Sequence, residues 1–221
     1  MITLASVAFI SAGLLLAVYA ELFRRVVVRK LKQPPRAFGY GYLCLAAALL
    51  VWGIAAVLGN QHWLEGSVMV GNALLLIGSV CMLQVVFRGN QRTSTIAVGA
   101  GSLGAIAFLV WRVMFYPPSP ELVGGILLFH TATPVAVVLG LVLLLIWLPA
   151  SLRVAQILTA MPGLRPLRSM YYSVYTMATV AALLFLSAKS PLVVALAFAG
   201  IFLSFLMLSG TTMMVDKLGK R

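Results

Sequence analysis

Asn72, Arg112 and His130 each interrupt a long apolar run, and their side chains could grip an anion together. Arginine offers a planar fork of donors, the amide adds two more, and histidine adds a ring nitrogen. Trp52 and Trp111 stand at comparable positions in their own runs and could supply apolar walls. Ionisable groups within membrane segments are expensive and point to function by default. The five residues therefore form a candidate site for a small anionic or amphipathic ligand. A structural reading uses the same residues differently. Arg112 would snorkel to the outer surface or pair with Glu121 or Glu65, and His130 would bond a neighbouring helix or an opened backbone.

Other chemistry lacks its components. The chain has no His-Glu-x-x-His motif, no Gly-x-Ser-x-Gly elbow and no phosphate loop. Only four acidic residues occur, none near the centre of an apolar run, so paired-carboxylate catalysis has no evident parts. No catalytic role is expected. Two histidines cannot supply the two axial pairs of a multi-haem cytochrome. Cys44 and Cys81 both lie in apolar runs without metal-ligand spacing, and are expected to be free thiols. No cofactor or metal is expected.

The elements that must position these residues follow from composition. Hydrophobic residues make up 62% of 221 positions and charged residues 9%, which leaves no polar exterior for a soluble fold. Lipid is the alternative solvent, in which each helix satisfies its own backbone. Spans of roughly 20 apolar residues recur, and alternating segments of barrel type do not. The expected fold is an all-α polytopic membrane protein with seven transmembrane helices in a single domain, 1–221. The helices are expected at about 2–23, 40–58, 67–87, 95–116, 122–148, 170–186 and 192–214. The first is read as a retained helix rather than a cleaved signal, because no positive region precedes it.

Segment 122–148 would extend about 40 Å, longer than a hydrocarbon core of about 30 Å. Pro134 is expected to kink it, with Thr131 and Thr133 re-satisfying the carbonyl of His130. In segment four, Ala97, Gly101 and Ala105 repeat every fourth residue, as in a close helix contact. Tyr40, Tyr42, Tyr171, Tyr172 and Tyr175 are expected near the headgroups. The connection 149–169 is expected on the cytoplasmic side, partly as a surface helix using Leu152, Ile157, Leu158 and Met161.

Charge sets the direction. Phe23 to Phe38 carries Arg24, Arg25, Arg29, Lys30, Lys32 and Arg36 without an acid. Short loops rich in lysine and arginine stay in the cytoplasm. With the N-terminus outside and the C-terminus inside, 14 of the 16 lysines and arginines fall on the cytoplasmic side. Arg112 and Lys189 are the exceptions. Glu21 stands three and four residues before Arg24 and Arg25, a spacing for boundary ion pairs. The net charge of +12 is thus explained by orientation rather than nucleic acid. The basic belts are expected to meet anionic lipid headgroups, and localisation to the bacterial cytoplasmic (inner) membrane is expected.

This architecture resembles the N-terminal seven-helix sensor domains of bacterial histidine kinases and diguanylate cyclases. Local echoes are Pro35-Arg36-Ala37-Phe38, Trp52 and Phe87-Arg88-Gly89. The resemblance implies a sensory or receptor-like module that binds a ligand within the bundle. Such receptors continue into a signalling domain, whereas here the chain ends at Lys220-Arg221, so a separate cytoplasmic partner is expected. Retinal is disfavoured, because Lys189 and Lys217 flank the last helix rather than lie in it. The alternatives are a small-solute transporter, or a non-catalytic subunit of a larger membrane complex that holds lipids or pigments.

Overall fold

The computed structural model describes residues 3–30, 35–160 and 164–218. Lys32, Met161, Lys220 and Arg221 lie outside the described residues, as do the side chains of Arg29, Lys30, Asp216 and Lys217. Among the described residues, seven helices are long and apolar enough to cross a membrane. In chain order they are α1 (Leu4–Lys30), α2 (Arg36–Leu58), α3 (Gln61–Val86), α4 (Gln91–Phe115), α5 (Thr133–Thr159), α6 (Leu167–Ser187) and α7 (Pro191–Leu218).

Local chemistry sets the boundaries. Gly59 ends α2 with φ 65°, a left-handed cap that glycine adopts without a Cβ penalty. The Asn60 side chain then accepts from the His62 amide at 2.9 Å and starts α3. His62, Trp63 and Glu65, expected in a loop, therefore lie in the first turns of a helix. Asn90 starts α4 in the same way, accepting from the Thr93 amide at 3.1 Å. Tyr116-Pro117-Pro118 stops that helix.

The fifth segment departs from the expectation of a helix over 122–148. Glu121–Val123 (β1) and Ile126–Leu128 (β2) pair antiparallel, with Val123 opposite Ile126. Gly124 and Gly125 form the turn with φ 57° and 79°, values that suit a tight two-residue hairpin. The helix begins only at Thr133, so Pro134 sits in its first turn, where a missing amide hydrogen costs nothing. Pro134 makes no kink. The irregularity comes later, as a π turn over Leu143–Trp147 directly before Pro149. The Leu148 amide reaches back five residues to the Leu143 carbonyl. This wider turn relieves the collision between the Pro149 ring and the carbonyl four residues earlier. The helix then runs on to Thr159, so most of the expected inner connection is helical.

Six helices close a ring in the order α1, α2, α3, α5, α6, α7, and α4 lies outside it against α3. Only 11% of the α4 apolar window is buried, against 50% for α2 and α3. Small residues bring α1, α2 and α3 together. A Cβ on Gly53 would stand 3.0 Å from the Ile10 amide nitrogen, and one on Gly78 would stand 3.0 Å from the Gly41 carbonyl. The Gly101 stripe of α4 faces α3, where a Cβ would meet the Leu83 side chain at 2.5 Å.

Two ends are distinguishable. Arg24, Arg25, Arg36, Arg88, Arg92, Arg165 and Arg168 lie at the basic end, at or near the helix termini there. Arg153, on the last turns of α5, donates to the carbonyls of Val86 and Arg88 at the C-terminus of α3. Glu21 accepts from Arg24 at 2.8 Å and from Arg25 at 2.7 Å, at the expected spacing. The hairpin marks the other end, where the Ala5 amide donates to the Gly125 carbonyl at 2.8 Å.

Candidate functional site

Arg112 is 2% exposed, although α4 is the most peripheral helix. Only Phe108 and Arg112, one turn apart, are buried on α4. The guanidinium reaches a small cavity of about 20 Å³ lined also by Asn72 and Val68 of α3, Trp52 of α2, Leu139 of α5 and Phe185 of α6. Asn72 is 5% exposed. The Arg112 Nε and the Asn72 Nδ2 are both buried without a hydrogen-bond partner. Neither anticipated acid neutralises the arginine. Glu65 accepts from Gln61 at 3.0 Å, and Glu121 stands 3.2 Å from His130 Nε2. Snorkelling is excluded by the burial.

Trp52 is held in place by two features. Its indole Nε1 donates to the Ser67 carbonyl at 3.0 Å, and the ring lies over Gly71, where a Cβ would stand 2.3 Å from Nε1. Phe129, the residue after β2, packs edge-on against Trp52 with centroids 4.9 Å apart. The hairpin thus delivers an aromatic wall to the cavity.

The structure brings Asn72, Arg112 and Trp52 together and places the other two elsewhere. Trp111 packs between Phe108 and Tyr116, with centroids 5.7 and 4.9 Å away, and does not line the cavity. His130 is exposed, with φ 42°. Its ring turns to Glu121 on the hairpin, because the strand reverses the chain before α5 begins. Thr131, the next residue, lines the cavity instead.

A second space lies inside the six-helix ring. This chamber, of about 100 Å³, shares Trp52, Phe185 and Leu186 with the Arg112 cavity. Its wall is aromatic and aliphatic, with Phe9, Trp147, Phe198 and Phe205 from three helices. Towards the basic end it carries the hydroxyls of Tyr42, Ser151 and Tyr175. These are paired internally: Tyr42 with Ser151 at 3.1 Å, and Tyr175 with Tyr19 at 2.6 Å. Trp147 Nε1 donates to Ser79 Oγ at 2.8 Å. The unsatisfied donors of the site are therefore those of Arg112 and Asn72.

Sequence reasoning did not find this chamber. Tyr42, Tyr171 and Tyr175, expected near headgroups, are no more than 5% exposed, whereas Tyr40 is 55% exposed. Tyr172 accepts from Arg168 at 3.0 Å, as a boundary residue does. The clustering of five tyrosines in two short stretches was a signal, but only the helix phases divide them. The cysteines are free, as expected, but only half-buried. Among the described residues no group of three or more His, Cys, Asp or Glu could hold a metal.

The chain matches no protein-family model, no curated protein and no solved structure. What the site can do is set by its own residues: one buried cation and one amide donor at the end of an apolar chamber. These donors lie beside aromatic and aliphatic side chains.

Proposed function

We propose that this chain is a membrane-embedded, receptor-like module that binds a small-headed anionic amphiphile within its helix bundle. The N-terminus and hairpin lie outside, and occupancy is passed to a cytoplasmic partner at the basic end. One observation carries the reading: a peripheral helix buries an arginine, its Nε without a partner, in a cavity that shares Trp52, Phe185 and Leu186 with an apolar chamber. Leaving a buried charge uncompensated is strongly destabilising, and a bound anion removes the penalty. The distribution of 14 of 16 cations supports the orientation.

Decanoate, decanol and decylamine separate charge from apolarity in protein held in lipid nanodiscs. Decanoate should bind most tightly and decylamine least. Arg112→Gln should weaken decanoate about ten- to a hundredfold, the worth of a charge-assisted hydrogen bond. Equal binding of the three compounds, unaffected by Arg112→Gln, would overturn the reading.

Transport of a small solute is the second reading, favoured by the π turn, whose Leu143 and Trp147 line the chamber wall. Broken helices near mid-membrane are where transporters build their sites. Accumulation of labelled decanoate inside sealed vesicles, absent from protein-free vesicles, would select transport over reception.

A further inference from the structure

A third space adjoins the chamber from the side. This groove, of about 360 Å³, runs between α1 and α7 and is capped by Ile126 and Leu127 of the hairpin. Leu4 and Ser11 mark its length along α1, about 10 Å at the helical rise. Its lining is apolar apart from Ser11, whose hydroxyl already donates to the Ala8 carbonyl at 2.9 Å. Leu4, Ser11, Ala195 and Ala199 are exposed, so the groove opens through the flank of the bundle. The hairpin, tied to α1 through Ala5 and Gly125, closes it towards the helix ends. In a spanning bundle an opening on the flank meets hydrocarbon rather than water.

Phe9 and Phe198 line both the groove and the chamber. Their rings meet edge to face with centroids 5.2 Å apart and form the partition between the two. Groove, chamber and Arg112 cavity therefore make one row, joined first by Phe9 and Phe198 and then by Trp52, Phe185 and Leu186. The volumes decide what fits. The chamber is smaller than the roughly 150 Å³ that accommodates a benzene ring, whereas the groove is more than three times larger. A thin chain satisfies both; a ring system does not.

We infer that the α1–α7 seam is a lateral portal for the hydrocarbon tail of a single-chain anionic amphiphile taken from the bilayer. The head passes the Phe9–Phe198 partition first and reaches Arg112 and Asn72, and the tail stays in the chamber and groove. This inference rests on the reading of Arg112 as the head-group site, and it adds the ligand class and the route.

A long-chain fatty acid with a mid-chain diazirine tests it in phosphatidylcholine nanodiscs, with adducts mapped by peptide mass spectrometry. Adducts should concentrate on residues 4–11 and 194–202 and on the chamber wall, and unlabelled fatty acid should compete them away. Ala195→Phe places a ring in the groove from an exposed position, and should slow chamber labelling about tenfold. Phe198→Ala should speed it by a similar factor. Adducts spread evenly over the exposed faces of all helices would overturn the portal. Unchanged chamber labelling in Ala195→Phe, with decanoate still dependent on Arg112, would overturn the portal and leave the head-group site standing. Absence of chamber labelling and of Arg112-dependent binding would remove both.

Discussion

A buried arginine whose Nε has no partner should destabilise the ligand-free bundle, and that makes position 112 informative. Its Nε is buried without a partner, and the adjacent Asn72 amide is in the same state. Arg112→Met keeps a long side chain while deleting the charge. The empty protein should then gain stability, at least about 1–3 kcal/mol for a buried group no longer left unsatisfied. Thermal unfolding in detergent with and without decanoate checks this. Wild type should start lower and rise with decanoate; Arg112→Met should start higher and not respond. A variant less stable than wild type would mean that the arginine serves the fold. His130 gives the contrast. Its contact with Glu121 is exposed on both sides, and exposed pairs contribute about 0–1 kcal/mol. His130→Asn tolerates the left-handed backbone, so it should leave both stability and decanoate affinity nearly unchanged.

Among the elements, α5 holds the two halves of the site in phase. Before the π turn, Leu139 faces the Arg112 cavity. After it, Ser151 meets Tyr42 and Arg153 caps α3. One residue fewer in a helix re-aims everything beyond it by about 100°, so a regular α5 could not keep both sets of contacts. Pro149→Ala removes the reason for the wide turn. Helix content by circular dichroism should hold, and decanoate affinity should fall about tenfold; unchanged affinity would show that tertiary contacts alone impose the π turn. Much of this scale was legible in the sequence, because long apolar runs translate directly into helices. The fifth segment was not. Leu122, Val123 and Ile126 to Phe129 read as one hydrophobic run, and the hairpin signal was the Gly124–Gly125 pair within it. Pro134 follows the same logic: a proline deep in a run is a kink, but one in a first turn is a start. Polarity inside apolar runs sufficed to find Arg112 and Asn72. The fates of His130 and Trp111 depended on the chain reversal and on helix phase, which composition does not encode.

At the scale of the whole molecule, charge and cavities share one axis. Among the described residues Arg112 and Lys189 stand apart from the other cations, and the groove, the hairpin and the Arg112 cavity all belong to the hairpin half. Which leaflet supplies the amphiphile therefore depends on orientation. The basic end carries the charges whose transfer across a bilayer is disfavoured, so it should face the cytoplasm. Cysteine labelling in intact cells measures this directly. Cys44 and Cys81 are free and half-buried, so both are first replaced by alanine to clear the background. His62→Cys then reports the hairpin end, and Gln91→Cys reports the basic end; both positions are exposed. A membrane-impermeant maleimide should label His62→Cys in whole cells and reach Gln91→Cys only after permeabilisation. The portal would then draw from the outer leaflet, and a cytoplasmic partner would meet the end where Arg153 joins α5 to α3. The reverse labelling pattern would place the portal in the inner leaflet and leave the basic end without access to such a partner.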